Sequence, residues 1–316
     1  MPSLQHGLVI KEQSGFFWVE VEDGSIYTCR LRGRLMEEGQ SSDIAAIGDR
    51  VLIDEIQPGI GSIEEVEERT SVISRAMRTE GNRGAGGAER EQVIIANAEQ
   101  AFFVFAAASP APNTRALDRF LVMGEKANIS AIFIIVNKID LALREAMEQQ
   151  FAPYVKMGYT ILYTSALTGI GVDDLRTQLH GHLSVFTGPS GVGKTSLLNC
   201  IQPGLGRSVK AISERNQEGM HTTRDSEMIK LEGGGYVADT PGIRLLNMWD
   251  IEPSELDGYF RDIADTIARC RFGDCTHRNE PGCKVRAAVN EGVISASRYK
   301  SYLTLRIELE QAYALY

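Results

Sequence analysis

The stretch Leu183-Ser-Val-Phe-Thr-Gly-Pro-Ser-Gly-Val-Gly-Lys-Thr195 decides the fold of this 316-residue chain. Its first five residues are mostly apolar and predict a short buried strand. Residues 188–195 match the phosphate-loop pattern G-x-x-x-x-G-K-[ST], and the residues from Lys194 onward predict a helix. The glycines allow consecutive backbone N–H groups to turn toward phosphate groups, and the helix N-terminus adds its positive end. This order of strand, loop and helix predicts a nucleotide-binding α/β domain.

Two residues of the phosphate loop have predicted side-chain roles. Lys194 is expected to reach the β- and γ-phosphates, and Thr195 is expected to hold Mg²⁺. A glycine-rich turn without a ligand is the alternative, which the strand before the loop and the helix after it disfavour. The residues predicted to contact the nucleotide here are Gly188, Pro189, Ser190, Gly191, Val192, Gly193, Lys194, Thr195 and Ser196.

A second motif, Asn137-Lys138-Ile139-Asp140, directly follows a predicted apolar strand. The Asp140 carboxylate is a suitable acceptor for the N1–H and N2–H₂ groups of guanine, whereas adenine offers no such pair of donors. The string Thr164-Ser165-Ala166 follows the next predicted strand and resembles the second base-binding motif of GTPases. Either string alone is more often an ordinary loop. Together, each after a strand, they predict that the nucleotide is GTP.

The order of these motifs along the chain is inverted. In an ordinary guanine-nucleotide switch protein, the phosphate loop opens the domain and the motif N-K-x-D follows it. Here N-K-x-D begins at Asn137, whereas the phosphate loop begins at Gly188. The domain is therefore predicted to be circularly permuted, with its motifs still meeting at the strand ends of a parallel, doubly wound sheet.

Two further segments have the character of nucleotide switches. Asp239-Thr-Pro-Gly242 follows a predicted strand, with Asp239 expected to hold Mg²⁺ through water and the Gly242 N–H expected to sense the γ-phosphate. Thr222 and Thr223 lie between this motif and the phosphate loop, where the first switch is expected. Thr223 is favoured to complete the Mg²⁺ shell. Solvated turn chemistry is the alternative for the two threonines.

His221 is the nearest candidate for positioning the attacking water. Ras-like proteins use a glutamine directly after the D-x-x-G motif, but in this chain Ile243 follows Gly242. A neutral imidazole can accept a hydrogen bond from water. A supporting role for His221 in the switch is the alternative. We expect slow intrinsic hydrolysis and a large acceleration by a partner. The predicted catalytic residues are His221, Lys194, Thr222, Thr223 and Gly242.

The cluster Cys270-x₄-Cys275-x-His277-x₅-Cys283 supplies three thiolates and one imidazole. This set suits one closed, tetrahedral, structural Zn²⁺ site, and four unconnected residues are the alternative. Three of the five cysteines lie here, which suits a reducing compartment better than a disulfide framework. Residues 269–300 hold seven basic and three acidic residues, a net charge of +4. They are predicted to face RNA, with a solvated polar face as the alternative.

Composition narrows the remaining possibilities. The chain is 43% hydrophobic, lacks an apolar run near the roughly 18 residues of a membrane span, and begins without a basic-then-apolar leader, so we expect a cytoplasmic protein. The formal net charge of −9 argues against indiscriminate nucleic-acid binding. Residues 1–70 hold six basic and fourteen acidic residues, a net charge of −8. Any RNA contact there must use a local face, such as Arg30-x-Arg32-x-Arg34.

Hydrophobic periodicity predicts a multidomain α/β protein with three domains. Residues 1–72 alternate as short strands and predict a small β-barrel, and residues 73–246 alternate strands with helices. Residues 247–316 hold the cysteine cluster and predicted helices. Residues 75–92 are glycine-rich and basic without an apolar period, which predicts an exposed linker. The predicted strands of the second domain are 101–108, 131–136, 160–164 and 183–187, and its helices are 114–127, 142–157, 172–180 and one from 194.

The small barrel, the inverted motif order, the run Gly219-x-His-Thr-Thr223 and the cysteine cluster together resemble the RsgA (YjeQ/YloQ) family over nearly the whole chain. The resemblance implies an OB-fold at the N-terminus and GTP hydrolysis to GDP stimulated by the 30S ribosomal subunit. It also implies contact with 16S rRNA, a role late in 30S maturation around the decoding region, and other maturation factors as further partners. It implies that His221 matters for hydrolysis.

Two rival functions use some of the same residues. A GTP-regulated RNA-binding switch acting on a different RNA or assembly factor would need the same motifs, and partner-specific stimulation separates it from a 30S maturation GTPase. A metabolic enzyme that phosphorylates a small molecule would also use a phosphate loop, but Asn137 to Asp140 disfavour it. A monomer without a membrane partner is expected in each case.

Overall fold

The computed structural model describes residues 4–33, 35, 43–77, 90–206, 208, 226–238 and 251–314. Several predicted site residues lie outside these ranges: His221, Thr222, Thr223, Asp239 and Gly242. Within the described ranges, no helix has the length and apolar character that crossing a membrane requires.

Strands dominate the first third of the described chain, and helices dominate its end. The strands are β1 Gln5–Gln13, β2 Phe16–Val21, β3 Ile26–Leu31, β4 Arg50–Gln57, β5 Ile60–Val66, β6 Val72–Met77, β7 Arg90–Ala96, β8 Gln100–Ala106, β9 Ala131–Asn137, β10 Thr160–Tyr163, β11 Leu183–Thr187, β12 Ser226–Glu227, β13 Ile229–Lys230 and β14 Tyr236–Ala238. The helices are α1 Thr114–Lys126, α2 Arg144–Lys156, α3 Val172–Leu179, α4 Lys194–Ile201, α5 Arg261–Ile267, α6 Lys284–Asn290 and α7 Ala296–Tyr313.

The first five strands form the predicted barrel. Their sheet has the order β12-β1-β2-β3-β5-β4, and an additional pairing of β1 with β4 closes it. Alternate residues point inward, so that Val9, Val19, Cys29, Ile53 and Ile63 are fully buried together. The five-stranded barrel confirms the N-terminal part of the predicted fold.

The second sheet is mainly parallel and has the order β10-β9-β8-β11-β14-β13. Only the edge strand β13 runs antiparallel to its neighbour. Every residue of β8 and β11 is buried, as expected for parallel strands with both faces covered. Strand β11, which carries the phosphate loop, lies between β8 and β14, so N-K-x-D and the phosphate loop reach the same sheet edge despite their inverted order. The permuted, doubly wound sheet is confirmed.

The predicted linker 75–92 is wrong at both ends. Residues 75–77 continue β6 and residues 90–92 begin β7, and the two strands pair antiparallel with Arg75 opposite Gln92. The pairing extends outward from an apolar base in which Ile73 lies opposite Ile95. Charged residues near the strand ends interrupt the apolar periodicity by which such a hairpin is predicted from sequence. Residues 78–89 of the predicted linker lie outside the described ranges.

Helices α5 to α7 form the C-terminal unit around their own apolar core, and Val122 of α1 belongs to the same cluster. Arg298 of α7 is 2% exposed and forms ion pairs with Asp118 of α1 at 2.6 Å and Asp262 of α5 at 2.9 Å. Tyr154 of α2 donates a hydrogen bond to Asp118 at 2.9 Å. The C-terminal unit is therefore joined to the sheet domain through α1.

Candidate functional site

The phosphate loop is held against its neighbours at two glycines. A Cβ on Gly188 would lie 2.1 Å from the carbonyl oxygen of Val104, and one on Gly193 would lie 2.4 Å from the Asn137 amide nitrogen. Gly193 also has a φ of +95°, in the region that favours glycine. No larger residue fits at either position. The loop therefore forms a narrow cradle at the point where β11 passes into α4.

The Lys194 ammonium lies inside this cradle. Its Nζ donates hydrogen bonds to the carbonyl oxygens of Gly188 at 2.6 Å and Pro189 at 2.7 Å. Thr195 and Ser196 are exposed on the first turn of α4. The cation therefore occupies the mouth of the loop, where it can exchange carbonyl oxygens for phosphate oxygens.

Asn137 joins the phosphate loop to the predicted base-binding string that contains Ser165 and Ala166. Its amide nitrogen donates to the carbonyl oxygen of Val192 at 2.9 Å. Its amide oxygen accepts from the Thr164 hydroxyl at 3.2 Å and the backbone N–H of Ala166 at 3.3 Å. The side chain is 1% exposed, so these bonds form away from water. Three motifs that are far apart in the sequence meet at one buried amide.

Lys138 adds a second connection to the phosphate loop. This residue directly follows β9 and has a φ of +60°. Its ammonium donates to the carbonyl oxygen of Gly191 at 2.7 Å and to that of Ser109. Sequence reasoning did not identify Ser109, since a backbone carbonyl leaves no signal in the residue type.

The Asp140 carboxylate is exposed, and hydrogen bonds from the loop at Ser165 orient it. The buried Ser165 hydroxyl donates a hydrogen bond to one of its oxygens, and the backbone N–H of Thr168 donates to the Ser165 hydroxyl at 3.1 Å. Each carboxylate oxygen has two lone pairs, so both oxygens remain able to accept from the two donors of guanine. The thiol of Cys200 on α4 lies 3.3 Å from the Ala166 carbonyl oxygen and supports the same loop. No pattern in the sequence pointed to Cys200.

The cysteine cluster comes together as predicted. The candidate ligand atoms of Cys270, Cys275, His277 and Cys283 all lie within 4.8 Å of one another. The Nδ1 atom of His277 lies 3.8 Å from the Cys270 Sγ and 3.5 Å from the Cys283 Sγ. Three thiolates and one imidazole at this spacing fit a tetrahedral zinc ion without an open position.

A carboxylate that sequence reasoning missed supports this cluster. Asp257 Oδ2 lies 3.0 Å from His277 Nε2. Because a carboxylate only accepts, Nε2 carries the proton and the Nδ1 lone pair faces the thiols. The backbone N–H groups of Lys284 and Arg286 at the start of α6 donate to the sulfur atoms of Cys270 and Cys283. These donors stabilise negative charge on the two sulfurs.

Glu280 holds the loop between the second and third cysteines. Partial burial opposes its ionisation, but hydrogen bonds from the Thr276 side chain and from backbone N–H groups, including those of Thr276 and Arg278, lower the pKa of Glu280 to about 2. Its carboxylate is therefore charged at neutral pH and keeps the loop around His277 folded.

Comparison with known proteins identifies the family. A family model described as RsgA GTPase matches residues 66–249, and one described as RsgA N-terminal domain matches residues 6–63. A relative from Gemmatimonas aurantiaca, named small ribosomal subunit biogenesis GTPase RsgA, is 40% identical over 96% of this chain and 97% of its own.

Two solved structures share the whole fold. YjeQ from Thermotoga maritima matches with a TM-score of 0.76 and 34% identity over 97% of this chain and 99% of its own. YloQ, described as a circularly permuted GTPase, matches with a TM-score of 0.76 and 30% identity over 98% and 96%. These matches confirm the resemblance predicted from the motifs. The chain is a GTPase and belongs to the RsgA family.

Proposed function

We propose that this GTPase acts in maturation of the small ribosomal subunit, hydrolysing GTP to GDP and phosphate at a rate that the 30S subunit stimulates. The observation that carries the proposal is the 40% identity to a relative named for small ribosomal subunit biogenesis, over 96% of this chain. The alignment includes the barrel, the GTPase domain and the cysteine cluster together. Such a role belongs in the cytoplasm, where ribosomal subunits are assembled, and the chain is proposed to act there as a monomer.

In the proposed site, residues 188–196 surround the phosphates and Asp140 reads guanine. The bond from Ser165 supports this assignment, because it directs the exposed Asp140 carboxylate. The close packing of Gly188 on Val104 and of Gly193 on Asn137 supports phosphate binding, since it fixes the loop at the end of β11. Lys194 would leave the loop carbonyls and donate to the β- and γ-phosphates. Lys138 and Ile139, which precede Asp140 in the same motif, are proposed to lie beside the guanine base.

Mg²⁺ supplies charge neutralisation at the phosphates in such sites. The Thr195 hydroxyl is proposed to hold it from the first turn of α4, where that side chain is exposed. Asp239 and Thr223 are proposed as the other protein groups near the metal, and the Gly242 N–H as the donor to the γ-phosphate, on sequence grounds. His221 is proposed to orient the attacking water, and Thr222 to support the switch beside it.

Cys270, Cys275, His277 and Cys283 are proposed to hold one structural Zn²⁺ ion. The buried cluster and the Asp257 contact support this assignment. Its role is to shape the C-terminal unit. The exposed basic residues of this unit, Arg269, Arg271, Lys284, Arg286 and Lys300, suit contact with 16S rRNA, whereas Arg298 is buried in its ion pairs and does not contribute to that surface.

GTP turnover by the purified chain, with and without 30S subunits, tests the proposal. We expect slow turnover alone and strong stimulation by 30S subunits, but not by 50S subunits or bulk RNA. Lys194→Ala should lose nucleotide binding, whereas His221→Ala should bind GTP and lose the stimulated rate. A rate that 30S subunits leave unchanged would contradict the proposal. Stimulation by another RNA or assembly factor would instead favour a GTP-regulated RNA-binding switch.

A further inference from the structure

The chain turns back along α4 directly after that helix ends. The backbone N–H of Gln202 still donates to the Leu198 carbonyl oxygen at 3.0 Å. The Leu205 N–H then donates to the Gln202 carbonyl oxygen at 3.1 Å, and the Leu205 side chain is buried. This side chain belongs to the same apolar cluster as Leu197 and Leu198 of α4. Burial of Leu205 therefore holds residues 202–206 against the helix that follows the phosphate loop.

The turn brings Gly206 against the first turn of α4. Gly206 is buried, and a Cβ on it would lie 2.3 Å from the Thr195 carbonyl oxygen and 2.9 Å from the Thr195 methyl carbon, Cγ2. Contacts this short would force one of the two residues to move. The φ of Gly206 lies outside the left-handed region. Lack of space, and not backbone conformation, therefore requires glycine at this position.

The Asn199 side chain fixes Gly206 in this place. Its amide oxygen accepts a hydrogen bond from the Gly206 N–H at 2.9 Å. Asn199 lies four residues after Thr195 on α4, so the two side chains leave the same face of the helix. Gly206 covers that face. Since a buried N–H is costly to leave without a partner, the bond to Asn199 keeps Gly206 close to Thr195.

Two further hydrogen bonds keep the segment and the helix from shifting against each other. The Gln202 side-chain oxygen accepts from the Glu232 N–H at 2.9 Å, which connects it to the turn between β13 and β14. Arg176 of α3 donates to the Cys200 carbonyl oxygen at 2.9 Å near the end of α4. The segment is therefore anchored at Gln202 as well as at Gly206.

The contact with Gly206 falls on one branch of the Thr195 side chain. The Cβ of threonine carries a methyl group and a hydroxyl, and threonine in a helix divides between two χ1 rotamers. Gly206 lies against the methyl group, so the observed rotamer keeps this contact and the other rotamer loses it. The hydroxyl of Thr195 therefore has one preferred direction.

We propose that Asn199 and Gly206 are positioning residues that direct the Thr195 hydroxyl toward Mg²⁺. The inference rests on the proposed function, in which Thr195 holds the metal. Asn199 holds Gly206, and Gly206 holds the methyl group of Thr195. Groups that fix the orientation of a metal-ligating side chain contribute to metal affinity without touching the ion. The motif G-x-x-x-x-G-K-[ST] ends at Thr195 and includes neither residue.

Magnesium dependence of nucleotide binding tests this role without turnover. We would measure the affinity of the full chain for a fluorescent, non-hydrolysable GTP analogue in EDTA and then at increasing Mg²⁺ concentration. Asn199→Ala should raise the Mg²⁺ concentration for half-maximal effect by about 10-fold, the lower end of the cost of losing such support. Its affinity for the analogue in EDTA should stay within about twofold of the parent, because the support acts on the metal ligand alone. Equal weakening with and without Mg²⁺ would overturn the proposal.

Gly206→Ala tests the same contact from the other side. The added Cβ would displace the segment from Thr195, and we expect the Mg²⁺ requirement to rise by about 10-fold or more. Gly33→Ala is the matched control. Gly33 is exposed, its φ also lies outside the left-handed region, and a Cβ on it would have no atom of the described residues within 4 Å. This control should leave the Mg²⁺ requirement unchanged.

Thr195→Ser tests whether the methyl group carries the effect. Serine keeps the hydroxyl but has no methyl group for Gly206 to hold. Asn199→Ala should therefore change the Mg²⁺ requirement by less than about twofold when it is added to Thr195→Ser, because the two residues act as one unit. A shift of the same size in both backgrounds would overturn the proposal, since Asn199 would then act by another route.

Thr195→Ala separates failure of this inference from failure of the proposed metal site. It should raise the Mg²⁺ requirement at least as far as Asn199→Ala does, because it removes the hydroxyl. If it does so while Asn199→Ala and Gly206→Ala match the parent, the positioning role is overturned and the metal assignment stands. If Thr195→Ala leaves the requirement unchanged, both are overturned.

Circular dichroism and analogue binding in EDTA establish that each variant is folded. Asn199→Ala introduces no clash, so it decides the question even if Gly206→Ala does not fold. The titration contains no ribosomal subunit, so a failure of stimulation by 30S subunits does not change its outcome.

Discussion

Asn137 shows at the scale of one residue how the nucleotide site is held together. Its buried amide contacts the phosphate loop through Val192 and the base-side loop through Thr164 and Ala166. A buried amide with both ends bonded is costly to disturb, since a lost partner leaves a polar group unpaired at about 1–3 kcal/mol. The phosphate and base regions are therefore one connected site.

Asp140→Asn should change the preferred nucleotide. An amide cannot accept from both guanine donors, and about 1.5–3 kcal/mol is lost for each hydrogen bond to a charged group, so GTP binding should weaken by roughly 100-fold. The new amide donor suits the C2 carbonyl of xanthine. Equilibrium binding of GTP and XTP checks this, with Asp173→Asn, at an exposed site on α3, as the control. Equal weakening of both nucleotides would contradict the assigned role.

Asp257→Asn should weaken zinc binding without removing a ligand. The carboxylate at 3.0 Å from Nε2 holds the His277 ring in the tautomer that presents Nδ1 to the thiols. Loss of such outer support typically costs 10–100-fold in metal affinity, and we expect a loss of about that size. Competition with a chromogenic chelator measures it. Asp274→Asn, in the loop between Cys270 and Cys275, changes an exposed carboxylate and serves as the control. An equal effect there would argue against a specific role for Asp257.

At the scale of elements, contacts that join the barrel to the parallel sheet include those of strand β12 and of the turn at Gly48. Strand β12 continues the barrel sheet beside β1, with Lys11 opposite Glu227. The turn at Gly48 lies against the end of β7, and the Asn97 side chain donates to the Gly48 carbonyl oxygen at 3.0 Å. The strand that follows the predicted first switch is thus part of the barrel sheet.

Gly48→Ala should destabilise this junction far more than Gly24→Ala. Both glycines have nearly the same φ, +84° and +85°, so the backbone strain of about 1–2 kcal/mol is shared. A Cβ on Gly48 would lie 2.0 Å from the Ala96 carbonyl oxygen, whereas one on Gly24 has no atom within 4 Å. Urea unfolding of both variants measures the difference. Equal midpoints would mean that the junction adjusts without cost.

The two ion pairs between α1 and α7 should contribute very differently. Arg298→Met leaves the buried Asp118 and the partly buried Asp262 without their cation, and we expect a loss of about 3–5 kcal/mol in unfolding free energy. Arg119→Met removes an exposed pair with Glu308 between the same helices and should cost at most about 1 kcal/mol. Chemical denaturation of both variants tests this. A small effect of Arg298→Met would show that the carboxyl groups are accommodated in another way.

At the scale of the whole molecule, the zinc cluster and α1 share one core. Cys275, Cys283 and Val122 belong to the same apolar cluster, and α1 follows β8 of the parallel sheet. A change in the cysteine cluster therefore reaches the GTPase domain through packed side chains, without passing through the barrel.

Removal of zinc by a strong chelator should unfold the C-terminal unit selectively. Without the metal, three thiols and an imidazole are buried together with no ligand to satisfy them, and metal binding is part of the folding free energy of such sites. Hydrogen exchange should show lost protection over residues 251–314 and on α1, with β1 to β5 unchanged. Metal analysis establishes complete removal. Full protection of residues 251–314 in zinc-free protein would exclude a structural role for the ion.

The nucleotide motifs and the cysteine spacing were predictable because each lies within a short run of sequence. A strand before the loop, a helix after it and glycines at fixed positions are local signals, and they placed the phosphate loop correctly between β11 and the first turn of α4. The hairpin of β6 and β7 was missed, since its strand ends carry charged residues and its pairing depends on Ile73 and Ile95.

The sequence by itself determined the fold class, the permutation and the three thiols with one imidazole, because these follow from local patterns and their order. Only the tertiary structure decided which partners complete them. Asn137 bonds to Val192 across 55 residues, His277 to Asp257 across 20, and Arg298 to Asp118 across 180. Burial makes each of these pairings necessary, since a polar group removed from water needs a partner. Which group supplies it depends on packing between distant segments, which no local pattern of residues records.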